Sequence, residues 1–404
     1  MTITNYLEEN LPRYLGLLQH WVETNSFTAN PAGVDAVAKL TAAAFVDLGF
    51  VAEYIPSQNA NHGNHLVLTR QGNTNRKLGL ISHLDTVFPP EEEAANDFHW
   101  RVVGDRIYGP GTNDVKGGTL TILMLLEALQ RFAAEDFAAI TWVVLLNAAE
   151  ETLSNDFGAL CRERLSQGGI AALVFEAGFR DDDLYQVVTA RKGMATYRVS
   201  VEGKSAHAGS HHARGANAIV QLARTVDQIA ALTDYAQDLT FNVGVIEGGV
   251  VTNRVPHAAV ARGEMRTFKQ EVYNQAIEDL LALQNQPPIT SADGFPCQIQ
   301  IEIVNKTAPW PPNPGTNKLY TYWQQAATEL GWQMLPEQRG GLSDGNHLWN
   351  TLPTIDGLGP YGEHGHCSER SADGSKDQEY ADKSSFIPKT LLNFTAIRKL
   401  IAEH

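Results

Sequence analysis

Residues 78–86 read Leu-Gly-Leu-Ile-Ser-His-Leu-Asp-Thr, an apolar run that ends on a histidine and an aspartate two positions apart. The run is too short for a stable helix and reads as a buried strand. On an extended chain His83 and Asp85 share a face, so both can point into one cleft at the strand end. Two more apolar runs, 139–146 and 171–175, have the same character, and a helical stretch at 118–132 separates the first two strands. Strands that are apolar along their whole length and alternate with helices predict a parallel or mixed sheet covered on both faces. Upstream, Leu7, Leu11, Leu15, Leu18 and Val22 recur at three- and four-residue steps, as on an amphipathic helix. A second helix is expected over 35–48, stopped by Gly49.

The middle of the chain changes character. From Met194 the order is strand (196–201), helix (216–232), strand (239–246), strand (258–266), helix (271–283), strand (298–304). That split β-α-β pattern predicts a small α+β, ferredoxin-like domain. The proline-rich segment Ala308-Pro309-Trp310-Pro311-Pro312-Asn313-Pro314 marks its far boundary, and a helix over 318–330 follows. The expected organisation is an α/β catalytic domain over 1–193 and 309–404, interrupted by a lid and dimerisation domain over 194–308. A chain of 404 residues is long for one core, which agrees with two bodies.

A net charge of -15 argues against nucleic-acid and anionic-membrane partners, which need a basic surface. Cys161, Cys297 and Cys367 are scattered and form no C-x-x-C pair, as in a reduced compartment. The N-terminal residues lack an apolar signal core, and no run is long enough to span a bilayer. A cytoplasmic enzyme is the expectation.

Acidic residues and histidines recur at strand ends and in glycine-rich loops. Asp114 sits in Gly109-Pro110-Gly111-Thr112-Asn113-Asp114-Val115-Lys116-Gly117-Gly118, where the glycines imply unusual backbone geometry and close approach. The loop lacks the G-x-x-x-x-G-K-[ST] spacing of a phosphate loop. Glu150 and Glu151 follow the strand that ends at Leu146; adjacent carboxylates there repel unless a cation neutralises them. One can bind metal while the other acts as a base. Glu176 closes the next apolar run, and His364 and His366 share the glycine-rich loop 359–369. Histidine nitrogen and carboxylate oxygen are what zinc takes. No H-E-x-x-H helix is present, which excludes that single-zinc protease pattern.

The segments SHLDTV, GPGTNDVKGG, AAEET, VEGKSAHAGS, RGGLSDGNH and GLGPYGEHGH, in this order and with Glu176 among them, resemble the aminoacylase and carboxypeptidase family of co-catalytic zinc hydrolases. That family includes glutamate carboxypeptidase, acetylornithine deacetylase and succinyl-diaminopimelate desuccinylase. The resemblance implies a zinc-peptidase-like catalytic domain with a mixed sheet between helices and an inserted lid. It implies two zinc ions: His83 and Glu176 hold one, Glu151 and a late histidine the other, and Asp114 bridges both with a cis peptide bond to Val115. Counting forward from Gly359-Pro360 favours His366 as that late ligand, with His364 the alternative. Glu150 would be the general base, with Asp85 orienting His83. In the lid, His207 resembles the histidine that reaches a dimer partner's site and helps stabilise the oxyanion. Asn253 and Arg266 match substrate contacts, Arg266 as the carboxylate binder, and Gly341 lies in a pocket-lining loop. The family's Arg-Pro-Pro here reads Trp310-Pro311-Pro312, which puts recognition of a second, side-chain carboxylate in doubt. His211 and His212 are expected on a surface loop.

The expected activity is hydrolysis of an amide bond beside a free carboxylate, by a glutamate-carboxypeptidase-type carboxypeptidase or dipeptidase. The alternative within this chemistry is an N-acyl amino acid deacylase. Other classes are a non-catalytic regulatory or scaffold protein and a nucleotide-binding transferase using the 109–118 loop. Cobalt or manganese can replace zinc in such sites. A homodimer through the lid, with no nucleic-acid or membrane partner, completes the expectation.

Overall fold

The computed structural model describes residues 1–152 and 154–403. They cluster into two compact units: Met1–Thr189 with Pro312–Gln338 and Ser343–His404, and Ala190–Pro311 with Arg339–Leu342.

The first unit is built on a six-stranded mixed sheet in the order Val51–Pro56, Asn64–Arg70, Thr141–Asn147, Lys77–His83, Gly169–Val174, Thr354–Ile355. Lys77–His83 runs parallel to both of its neighbours, whereas Asn64–Arg70 pairs antiparallel with Thr141–Asn147. Alternate side chains of each strand serve opposite faces. Leu66, Leu68, Leu78, Leu80, Val144, Leu146 and Leu173 join one core with the helices Ile3–Val22, Pro31–Ala44, Lys116–Phe132, Pro314–Glu329 and Phe386–Glu403. Val67, Ile81, Val143, Leu145, Ala172 and Val174 pack on the other side against Phe157, Leu160, Cys161 and Leu165 of the helix Asn155–Leu165. The sheet is thus covered on both faces, which is why its inner strands Thr141–Asn147, Lys77–His83 and Gly169–Val174 are largely apolar and buried. An α/β unit of this kind places its ligand groups at the carboxyl ends of parallel strands, where His83 and Asn147 stand and which Glu176 follows.

The second unit is a four-stranded antiparallel sheet in the order Thr240–Gly248, Ala258–Thr267, Gly193–Glu202, Gln298–Thr307. The helices Ala218–Ala230 and Gln270–Ala282 complete the expected β-α-β-β-α-β order. Its core holds Tyr197, Val199, Leu222, Ile229, Met265 and Leu280.

Boundaries differ from the expected ones where caps decide them. The helix expected over 35–48 spans Pro31–Ala44, because the Asn30 side chain caps Gly33 N–H and Pro31 opens the first turn; Val46–Leu48 is a separate 3-10 turn closed by Gly49 at φ 80°. The helix expected from 318 starts at Pro314 for the same reason, with Asn313 capping Thr316. The strand expected from 139 starts at Thr141, since Ala134–Ala139 forms a short helix. Among the described residues no helix is long and apolar enough to cross a membrane.

The helix Lys116–Phe132 starts pressed against the strand end that precedes Glu176, and Gly118 permits this. A Cβ on Gly118 would lie 1.9 Å from the Phe175 carbonyl oxygen, which is backbone and cannot swing aside. Gly118→Ala is therefore expected to cost on the order of 1–3 kcal/mol, seen as a lower denaturant midpoint; an unchanged midpoint would mean that the contact gives freely.

Candidate metal centre

His83 ends its strand with the ring fully buried. Its Nδ1 donates to the Asp85 backbone carbonyl at 3.0 Å and lies 3.4 Å from the Asp85 carboxylate, which leaves Nε2 facing the cluster. There Nε2 is 3.0 Å from Asp114 Oδ1 and 3.8 Å from Glu176 Oε1. On the other side, His366 Nε2 is 3.3 Å from Asp114 Oδ2 and 3.1 Å from Glu151 Oε2. Asp114 thus turns one oxygen to each histidine, and each histidine has a second carboxylate beside it. The Asp114–Val115 peptide bond is cis, as the resemblance implies. His364 lies apart from this contact set, its ring 6.0 Å from that of Tyr380.

Asp85 does more than face His83. Its carboxylate is wholly buried and accepts the Thr28 hydroxyl at 2.6 Å and the backbone N–H groups of Glu150 and Glu151 at 3.1 and 3.3 Å. One carboxylate therefore fixes both the histidine and the paired glutamates.

The electrostatics are those of a site built around positive charge. Carboxylates outnumber imidazoles, so any positive charge is strongly held. Burial opposes a charged His83, but its hydrogen bonds to Asp114 and Asp85 outweigh that and raise its pKa. Hydrogen bonds donated to Asp114 and Glu151 push the His366 pKa up to about 11. Burial works to raise the Asp114 pKa, yet hydrogen bonds from His366 and His83 hold it well below the usual carboxylate range. Burial and the negative charge of Asp114 raise Glu151; burial, with the nearby charges of Glu176, Asp344 and Glu151, raises Glu150 well above the ordinary glutamate value. Among the described residues, buried Glu151 Oε1 has no hydrogen-bond partner. His83, Asp114 and Glu151 present ligand atoms that all lie within 4.8 Å of one another. Nitrogen and carboxylate donors, an orphaned acceptor and surplus negative charge fit divalent metal ions.

Three surrounding side chains went unnoticed or without a role in the sequence reading. His65, buried in its strand, accepts the Ala148 N–H on Nδ1 at 3.1 Å, so the ring is neutral and Nε2–H faces Asp156 at 3.2 Å. This props the backbone just before Glu150. Asn147 donates to buried Asp344 at 2.9 Å and accepts the Ala149 N–H at 3.0 Å, bracing the same turn. Glu379 is fully buried behind the Asp114 loop. A histidine directly before the apolar run Leu66-Val67-Leu68 was the available signal for His65; Glu379 lies in a polar run that offers none.

His207, Asn253, Arg266 and Gly341 belong to the second unit. His207 Nδ1 accepts the N–H groups of Gly209 and Ser210 at 3.1 and 3.2 Å, so the ring hydrogen sits on Nε2 and can be donated. The Asn253 carbonyl accepts the Ala208 N–H at 3.0 Å. Arg266 gives Nε–H and one Nη2–H to Glu264 at 2.8 and 3.1 Å and one Nη1–H to the Gly340 carbonyl at 3.0 Å. These contacts leave one hydrogen on each terminal nitrogen, the end-on fork that fits a carboxylate. The Gly341 carbonyl accepts from Arg191 at 3.0 Å. His211 and His212 lie in an exposed turn.

Comparison with known proteins agrees with this chemistry. Residues 189–288 match the peptidase dimerisation domain of the M20 type. The chain is 29% identical to carboxypeptidase G2 of Pseudomonas sp. (strain RS-16) over 94% of its own length and 87% of that protein. It is 26% identical to an acetylornithine deacetylase of Yersinia pseudotuberculosis over 76% of its length and 79% of that protein. A dinuclear metal-binding M20-family peptidase of Bacillus subtilis superposes with a TM-score of 0.67, covering 98% of this chain and 99% of that one at 14% identity.

Because Asp114 faces both histidines, Asp114→Ala is expected to lose divalent metal from both sides, whereas Glu176→Ala loses it on the His83 side only. Equilibrium dialysis followed by elemental analysis separates the two; equal retention in both variants would contradict the shared carboxylate.

Proposed function

We propose that this chain, a metallopeptidase or amidohydrolase related to carboxypeptidase G2 and the acetylornithine deacetylases, hydrolyses the amide bond beside a free carboxylate in a small peptide. The preferred reading is a carboxypeptidase or dipeptidase of glutamate-carboxypeptidase type. The observation that carries it is Asp114, with one oxygen toward His83 and Glu176 and the other toward His366 and Glu151, next to a glutamate, Glu150, that stands outside those contacts.

His83 and Glu176 would hold one zinc and Glu151 and His366 the other, with Asp114 between them; cobalt or manganese suits the same donors. Two such ions supply Lewis acidity, lowering the pKa of a water and polarising the scissile carbonyl. Glu150 accepts the water's proton as its oxygen attacks the carbonyl carbon, then delivers that proton to the departing amine as the C–N bond breaks. The products are a carboxylate and a free amine. Asp85 holds the Glu150 and Glu151 backbone in place for this exchange. His207, whose Nε2 carries the hydrogen, donates to the carbonyl oxygen as it gains charge, a contribution of a few kcal/mol in comparable sites. Arg266 grips the substrate carboxylate through its remaining fork, held by Glu264, and Asn253 and Gly341 line the same binding region.

The second reading, an N-acyl amino acid deacylase, draws on the similarity to acetylornithine deacetylases. Trp310 is fully buried where the family pattern has an arginine, which speaks against selection for a second substrate carboxylate. A homodimer through the lid is part of the proposal: Thr240–Gly248 is an edge strand with Val245 and Ile246 exposed, inside the matched dimerisation domain. A cytoplasmic location agrees with three free cysteines. A non-catalytic scaffold would not need both the donor set and Glu150.

A panel of dipeptides and N-acetyl, N-formyl and N-succinyl amino acids tests the substrate class; turnover confined to the N-acyl compounds would favour the second reading. Glu150→Gln is expected to keep its metal and lose turnover, and normal activity at confirmed metal content would reject Glu150 as the base. Arg266→Ala is expected to raise KM about ten- to a hundredfold, the loss of hydrogen bonds between charged groups, with kcat much less affected. An unchanged KM would remove Arg266 as the carboxylate anchor.

A further inference from the structure

Glu379 is fully buried and lies at the end of the long segment that follows His366. Its Oε1 accepts the backbone N–H groups of Asn113 and Asp114 at 2.9 and 3.1 Å. Two successive N–H groups converging on one oxygen form a concave anion-binding nest. The backbone of Glu379 adds two further links: its N–H donates to the Cys367 carbonyl at 2.8 Å, and its carbonyl accepts the Gly109 N–H at 3.4 Å. One residue therefore joins the loop that carries Asp114 to the residue next to His366.

The neighbours hold Glu379 in this place. Gln378, also fully buried, donates to the Ser368 and Asn96 carbonyls at 2.8 and 2.9 Å, which closes the loop between residues 368 and 378. Ser368 contacts Glu92 and Asn96. Tyr380–Asp382 then pairs with Arg106–Tyr108 on one side and with Gly362–Glu363 on the other. The whole segment is a strap tied at both ends, with the Glu379 carboxylate pointing inward.

Stability alone does not call for a carboxylate here. Among the described residues Glu379 Oε2 is buried with no hydrogen-bond partner, and an uncompensated buried carboxylate is costly. What the group does secure is the backbone of Asp114. An aspartate side chain has only two rotatable bonds, so fixing its peptide orientation leaves its carboxylate little room to wander. Groups that orient a metal ligand in this way typically carry ten- to a hundredfold in metal affinity.

We propose that Glu379 is a positioning residue for the metal centre: as a hydrogen-bond acceptor it fixes the Asn113–Asp114 backbone and so aims the Asp114 carboxylate between His83 and His366. This rests on the metal-binding reading of the cluster above.

The test is zinc affinity of the full chain, measured by competition with a chromogenic chelator, beside kcat and KM, for the parent and for Glu379→Gln, Glu379→Asp and Glu379→Ala. Gln keeps the accepting oxygen at the same reach and is expected to stay within about threefold of the parent. Asp falls one methylene short and Ala lacks the acceptor; both are expected to lose about ten- to a hundredfold in affinity, with kcat falling and KM nearly constant. If Ala does not fold, the Gln and Asp pair decides. Asp or Ala binding zinc as tightly as the parent would overturn the proposal, and so would Gln losing as much as Ala, since charge rather than the hydrogen bonds would then be what matters. A parent that binds no zinc would refute the metal reading itself, and this role with it.

Discussion

The structure of the first unit depends on how a crowd of buried carboxylates is kept in place. Asp85, Asp114, Glu151 and Glu176 meet around two imidazoles, with Glu150 beside them, at the carboxyl ends of parallel strands. Like charges at such separations repel strongly in a poorly solvated recess. The fold meets this with fixed donors: Thr28 and the N–H groups of Glu150 and Glu151 for Asp85, and the two histidines for Asp114. Glu151 Oε1 keeps no partner among the described residues. The remaining negative charge makes the cluster a candidate site for cations rather than a set of neutralised ion pairs.

The rest of the unit can be understood as support for that cluster. The apolar strands supply rigid ends; Gly118 lets a helix start against one of them, so that Asp114 arrives just before the helix N-terminus. His65, Asn147 and Asp344 brace the turn that carries Glu150. The strap from His366 to Tyr380 returns to the Asp114 loop through Glu379. Candidate ligands drawn from distant parts of the chain are thereby held by short, local contacts, the condition for a preorganised site.

Much of this was legible in the sequence, for identifiable reasons. Buried parallel strands are apolar on both faces, so Lys77–His83 and Gly169–Val174 stood out as short runs, and polar residues at their ends drew the eye to His83 and Glu176. The element order of the second unit was equally plain, because its strands and helices are separated by clear turns. Helix starts were less visible: the helices expected from 35 and 318 begin at Pro31 and Pro314, each in the first helical turn behind an asparagine cap. The structure also gave Asp85 a wider role than orienting His83, since the backbone N–H groups that donate to it lie 65 and 66 positions away in the chain. Glu379 was out of reach for a stronger form of the same reason. Its partners are backbone N–H groups more than 260 positions distant, and backbone groups leave no trace in residue identity.

What stands on either side of Asp114 decides whether the cluster is a two-metal centre. Anomalous diffraction at the zinc absorption edge, from crystals grown with zinc, locates metal directly and without reference to activity. Two peaks flanking the Asp114 carboxylate, one beside His83 and Glu176 and one beside His366 and Glu151, are the expected result. A single peak, or none within ligand distance of Asp114, would contradict it.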